Sequence, residues 1–108
     1  SVSMGGNDML CSIHGDIDHH NARVIRMQID DELYKQRPRK LTLDLSRVEF
    51  MDSSGIGMLM GRKRLLSYSG GRVSAIHVSD RILRIMQLSG IYKHIEISQE
   101  PVWNRRMP

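Results

Sequence analysis

Leu41, Leu43 and Leu45 alternate with Thr42, Asp44 and Ser46, and within ten residues the apolar period changes from that of a strand to that of a helix. Side chains two apart share a sheet face, whereas those three and four apart share a helix face, so a single element cannot satisfy both patterns. The chain must therefore complete a strand, with Val48 and Phe50 continuing its apolar set toward a turn, and start a helix soon after. The junction is Met51-Asp52-Ser53-Ser54-Gly55-Ile56-Gly57, whose Asp-Ser-Ser run offers helix caps. Ile56, Leu59 and Met60 then follow helical spacing until Gly70 and Gly71 stop it.

The same alternation recurs on both sides. Met9 to His14 suits a short strand ending in a turn at Gly15, and Asp18 is the expected N-cap of a helix whose Ala22, Ile25, Ile29 and Leu33 share a face before Pro38 ends it. Val73 to Val78 reads as a strand. Ser79 and Asp80 can cap a third helix bearing Ile82, Ile85 and Met86, Gly90 resembles a left-handed C-terminal cap, and Ile95 and Ile97 flank Glu96 in a short last strand. Strands alternating with helices predict an α/β fold: a small, mixed, mostly parallel β-sheet with helices packed against it and right-handed crossovers between parallel strands. Residues 1–108 read as one domain with poorly defined ends at 1–8 and 99–108, because Ser1 to Asp8 offer no clear strand and the tail Pro101-Val102-Trp103-Asn104-Arg105-Arg106 has no periodicity.

Composition narrows the function. With 40% hydrophobic and 26% charged residues the chain has the balance of a folded globular protein. Its apolar runs are far shorter than a membrane span, and the start shows no basic-then-apolar signal peptide, so a cytoplasmic location is expected. Cys11 is the only cysteine and reads as a core residue. The net charge of +4 is spread over short clusters, Arg37, Arg39 and Lys40, Arg62, Lys63 and Arg64, and Arg105 and Arg106, with few aromatics; an acidic protein partner suits it better than nucleic acid.

Several chemistries lack their motifs. There is no phosphate-binding loop ending in Lys-Ser/Thr and no G-x-G-x-x-G turn, and Ser53 is not in a G-x-S-x-G elbow. His14, His19 and His20 with Asp16 and Asp18 contain metal-ligand types, but adjacent histidines at a helix start diverge and no H-E-x-x-H spacing follows, so a turn and cap is the preferred reading and no metal or cofactor is expected. On the residues alone, Ser53 and Ser54 could simply satisfy free N–H groups at a helix start.

Gly15-Asp16-Ile17-Asp18-His19-His20, Leu43-Asp44-Leu45, Phe50-Met51-Asp52-Ser53-Ser54-Gly55-Ile56-Gly57, Gly61-Arg62 and Leu88-Ser89-Gly90-Ile91 together resemble the STAS-domain anti-sigma factor antagonists, in order and spacing from about Met9 to Ile97. The Asp-His-His turn with Met-Asp-Ser-Ser-Gly and Gly-Arg is most similar to the sporulation branch that frees sigma F, with the general-stress antagonists as close relatives. The resemblance implies a single STAS-like domain that is not an enzyme. It also implies that Ser53 is phosphorylated, that the partner is an anti-sigma factor which is itself the serine kinase, and that a separate serine phosphatase reverses the mark.

A phosphate at a helix start is tolerated by the helix dipole, so phosphorylation is expected to act on the interface rather than on the fold. The expected partner-binding set is Asp18, Asp52, Ser53, Ser54, Gly55, Gly57, Met58, Gly61, Arg62 and Leu65. Each glycine in a helix costs roughly 1 kcal/mol against alanine, so Gly55, Gly57 and Gly61 need a reason: close packing on the sheet, or a partner backbone that comes near. Met58 and Leu65 lie off the Ile56, Leu59 and Met60 stripe and are expected to form an exposed apolar patch beside Ser53. Two other functions remain: a nucleotide or small-molecule sensor using the Asp16 to His20 turn and the Ser53 helix start as an anion site, and, ranked last, a phosphotransfer or hydrolytic enzyme.

Overall fold

The computed structural model describes residues 1–99; the expectation of an aperiodic tail from Pro101 lies outside them. Five strands, β1 (Val2–Gly5), β2 (Asp8–His14), β3 (Lys40–Arg47), β4 (Arg72–Ile76) and β5 (Glu96–Ile97), form one sheet in sequential order. β1 and β2 are an antiparallel hairpin, and every later pair is parallel. The helices α1 (Ala22–Gln36), α2 (Ser53–Ser67) and α3 (Asp80–Ser89) fill the crossovers. Adding each parallel strand at the same edge by a right-handed crossover puts all three helices on one face of the sheet.

That face holds the core. Met9, Cys11 and Ile13 of β2, Leu41, Leu43 and Leu45 of β3, and Val73 and Ala75 of β4 are buried against Ile29 and Leu33 of α1, Leu59 and Leu66 of α2, and Ile82 and Met86 of α3. Burial raises the pKa of the Cys11 thiol, which suits an inert core residue. The third helix has the expected stops: the Ser79 hydroxyl accepts from the Ile82 N–H, and Gly90 takes φ 81° at the C-cap.

Three expectations change. Ser1 to Asp8 is not without structure: Val2–Gly5 pairs with Asp8–Cys11 across a turn at Gly6, held by hairpin hydrogen bonding although all four β1 residues are exposed. Phe50 does not continue the core set; it is 43% exposed in the β3–α2 loop. The buried stripe of α2 is Gly55, Met58, Leu59, Arg62 and Leu66; of the expected set Leu59 is fully buried, while Ile56 and Met60 are only partly buried at its margin. The buried stripe also has helical spacing, rotated toward the sheet.

Candidate functional site

Two loops meet where the parallel strands end: Gly15–Asn21 after β2, and Val48–Asp52 after β3. Ile17 N–H donates to the Phe50 carbonyl at 3.0 Å, Asp52 N–H donates to the Ile17 carbonyl at 3.2 Å, and Ile17 and Met51 form an isolated parallel bridge. The chain thus extends its sheet pairing by one residue past the regular strands. Ile17 and Met51 are buried, anchoring both loops from below.

Asp52 completes the junction. Its Oδ1 accepts from the N–H groups of Ser54 (2.8 Å) and Gly55 (3.3 Å), and its Oδ2 accepts from His19 N–H (3.2 Å) in the other loop. One carboxylate therefore caps α2 and ties α1's entry loop to it. Partial desolvation pushes this carboxyl's pKa up, but the three N–H donors outweigh it and hold the group below the usual carboxylate range. A folded-state pKa below the unfolded value stabilises fully above the unfolded pKa, and that contribution is lost as pH falls through the folded one. Stability should drop below about pH 4. Asp52→Asn, which keeps an acceptor but no charge, should flatten part of that drop; urea unfolding in neutral and acidic buffer tests it, and an unchanged acid limb would assign the dependence elsewhere.

Asp18 makes the matching cap on the first loop. Its Oδ1 accepts from His20 and Asn21 N–H at 3.0 and 3.1 Å, and its carbonyl accepts from Ala22 N–H. Regular helix begins at Ala22, whose flanking Asn21 makes no side-chain cap bond, so Asp18 sets a turn of helix-like chain ahead of α1. His19 and His20 do not diverge as expected: their ring centroids lie 3.9 Å apart, with the planes tilted by 39°. Among the described residues no group of three His, Cys, Asp or Glu is placed to hold a metal ion.

Ser53 opens α2 as its first helical residue and is exposed. Neither Ser53 nor Ser54 supplies the cap; Asp52 does, and among the described residues the Ser53 hydroxyl makes no hydrogen bond. The capping role proposed for the serines is therefore already filled. The same carboxylate occupies the helix N-terminus that the sensor reading assigned to an anion.

The glycines divide. A Cβ on Gly55 would lie 2.5 Å from Met51 Cγ and 2.6 Å from the Ile17 carbonyl oxygen, so Gly55 is where α2 presses on the joined loops. Gly57 and Gly61 have nothing within 4 Å, so packing within the described chain does not explain them.

Other expected contacts move. Met58 is buried at 5% exposure and belongs to the core. Leu65 is 45% exposed but twelve residues along α2 from Ser53, about 18 Å at 1.5 Å per residue, so the two do not form a patch beside the serine. Arg62 is not on a solvated basic face: its side chain is 9% exposed, and its Nη1 lies 3.0 Å from Asp30 Oδ1 on α1. The pair is close but poorly aimed, since neither of those atoms nor Arg62 Nε makes a hydrogen bond. Burial pulls the pKa of this guanidinium down although Asp30 opposes it, and Arg62 acts as a buried link between α1 and α2. Phe50 was missed as a surface residue. Its place in the strand pattern hid it, and only the turn that precedes Asp52 brings it out.

Comparison with known proteins agrees with this architecture. Residues 4–102 match the STAS domain family. The anti-sigma F factor antagonist of Paenibacillus polymyxa is 31% identical over 94 residues, spanning 87% of this chain and 80% of that protein. The anti-sigma-B factor antagonist of Bacillus subtilis is 29% identical over 97 residues, with 90% and 87% coverage. Among solved structures, the anti-sigma factor antagonist SpoIIAA in its unphosphorylated form shares the fold with TM-score 0.78 at 24% identity, covering 98% of this chain and 91% of that one. The Bacillus cell fate determinant SpoIIAA in its phosphorylated form gives 0.69 at 26% identity, covering 98% and 96%. The chain belongs to the STAS family and, within it, to the anti-sigma factor antagonists, which are regulatory binding proteins and not enzymes.

Proposed function

We propose that the unmodified protein binds an anti-sigma factor that is also a serine kinase, thereby freeing a sigma factor, and that phosphorylation of Ser53 by that kinase ends the interaction. The observation that supports this reading most is that Ser53 is an exposed serine with no structural task, at a helix start already capped by Asp52. A hydroxyl free of internal bonds can be modified without dismantling the fold. Phosphate adds about −1.5 to −2 charges beside the Asp52 carboxylate, and a partner seated there must desolvate both. The interface proposed around Ser53 comprises Asp18, Phe50, Asp52, Ser54, Gly57 and Gly61, with buried Gly55, Met58 and Arg62 shaping it from within. Sigma F is the favoured sigma factor, the general-stress system the alternative, and the cytoplasm the site of action; a serine phosphatase resets the switch.

Incubating the protein with a candidate anti-sigma kinase and ATP, then mapping the modified residue by mass, tests the reading. Stoichiometric phosphate on Ser53 is expected, and modification elsewhere would overturn it. Gly57→Ala and Gly61→Ala give a second expectation. With open space at both positions each should gain up to about 1 kcal/mol of stability, yet weaken kinase binding because the partner's backbone meets the new methyl group. Full affinity in both variants would remove the glycines from the interface.

A further inference from the structure

A groove enclosing about 570 Å³ lies between the C-terminal ends of α1 and α2, at the end of α2 remote from Ser53. Its walls are apolar: Leu33, Tyr34 and Pro38 from one side, Leu65 and Leu66 from the other. Two of these are exposed, Tyr34 at 73% and Leu65 at 45%. The charges around it are biased. Arg37 and Arg39 line the groove, whereas its acid, Asp30, is paired with Arg62. The neighbouring Lys35 is paired with Asp31 at 3.2 Å. Arg37 is held over the Tyr34 ring, 5.2 Å from its centroid, so one cation is fixed at the apolar wall. The last turn of α1 already carries Lys35 as its basic residue, so helix-end electrostatics do not require two further arginines.

We infer that this groove is a second docking site, taking a partner segment with an apolar anchor side chain flanked by carboxylates. The anchor fills the space between Leu33, Tyr34 and Leu65, and the carboxylates meet Arg37 and Arg39. Charge complementarity selects this occupant, since an apolar anchor alone would not explain a rim that keeps two arginines without a carboxylate partner among the described residues. Leu65 is about 18 Å along α2 from Ser53, beyond the roughly 10 Å over which surface charge acts at 0.1 M salt. Docking here is therefore the same whether or not Ser53 is phosphorylated, which gives a partner that must engage both forms a constant handle. The docking claim stands without the kinase reading; only its indifference to phosphorylation rests on Ser53 being the modified residue.

The test titrates the full chain with a fluorescein-labelled short peptide carrying Leu-Phe at its centre and Glu and Asp on both sides. The control peptide replaces the acids with Gln and Asn. Saturable binding of the acidic peptide, at least about tenfold tighter than the control and weakened by salt, is expected, with NMR shifts centred on Tyr34, Leu65 and Ser69. Arg37→Glu combined with Arg39→Glu should lose that tenfold preference, Leu65→Gln should weaken both peptides, and Ser53→Asp should change neither. Retention of the native NMR spectrum by Leu65→Gln separates lost binding from lost folding. The proposal is overturned if the acidic peptide does not bind, if the two peptides bind alike, if the shifts lie elsewhere, if Ser53→Asp weakens binding as much as the arginine variant does, or if light scattering shows that a second copy of the chain fills the groove.

Discussion

Ser53→Ala should fold with its stability changed by less than about 0.5 kcal/mol, bind the anti-sigma kinase, and accept no phosphate. The small stability effect follows from the cap: Asp52 Oδ1 holds the Ser54 and Gly55 N–H groups, and the Ser53 hydroxyl contributes nothing to them. If Ser53 were the cap, alanine would cost about 1 kcal/mol, so urea unfolding separates the two roles before any kinase is added. Ser53→Asp should fold as well, because a negative charge at the first turn of a helix suits the dipole, though Asp52 nearby offsets that gain. Its binding should be weaker, and that of the phosphoprotein weaker still, by about 2–5 kcal/mol, the cost of burying a charge against a partner with nothing opposite it. Ser54→Ala should still be phosphorylated on Ser53. Calorimetric titration with the kinase and mass mapping supply the binding and modification comparisons, and urea unfolding the stability ones. A folded phosphoprotein that binds as tightly as the unmodified one would end the switch model.

Gly55→Ala should destabilise the protein although it replaces a helix-weakening glycine. Its methyl group would meet a core side chain, Met51, and a backbone carbonyl, Ile17 O, and the carbonyl cannot yield without moving the loop. Overpacking of this kind costs about 1–3 kcal/mol, more than the roughly 1 kcal/mol of helix propensity that alanine returns. The same substitution at Gly57, with open space around it, should have the opposite sign. Ile17 O is also the acceptor for Asp52 N–H, so Gly55→Ala should loosen the cap and weaken kinase binding beyond its effect on stability. Urea unfolding of both variants and one binding titration check this. A Gly55→Ala protein as stable as wild type would mean that α2 does not press on the loops as described.

The two glycines illustrate how the sequence and the fold divide the information. Local chemistry was legible: the change from period two to helical period around Asp52, the Ser79 and Gly90 caps of α3, and the stop of α1 before Pro38 each depend on residues within a turn of one another. The Asp-Ser-Ser-Gly run was legible too, and with it the position of the serine proposed as the switch. Which face of α2 turns inward was not, because Ile56, Met58, Leu59, Met60, Leu65 and Leu66 surround most of the helix and its own pattern selects no side. The sheet selected it, burying Met58 and drawing Arg62 in against Asp30 while Leu65 was left outside. β1 shows the same dependence, since four exposed residues become a strand only because β2 offers its edge. Chain periodicity and capping thus determined the elements and the location of Ser53. The reach of the Asp52 carboxylate to His19 and the close approach of Gly55 to the Ile17 carbonyl arise between segments more than thirty residues apart. Only the tertiary structure decided them, because hydrogen bonds and steric contacts between distant segments leave no period in the chain.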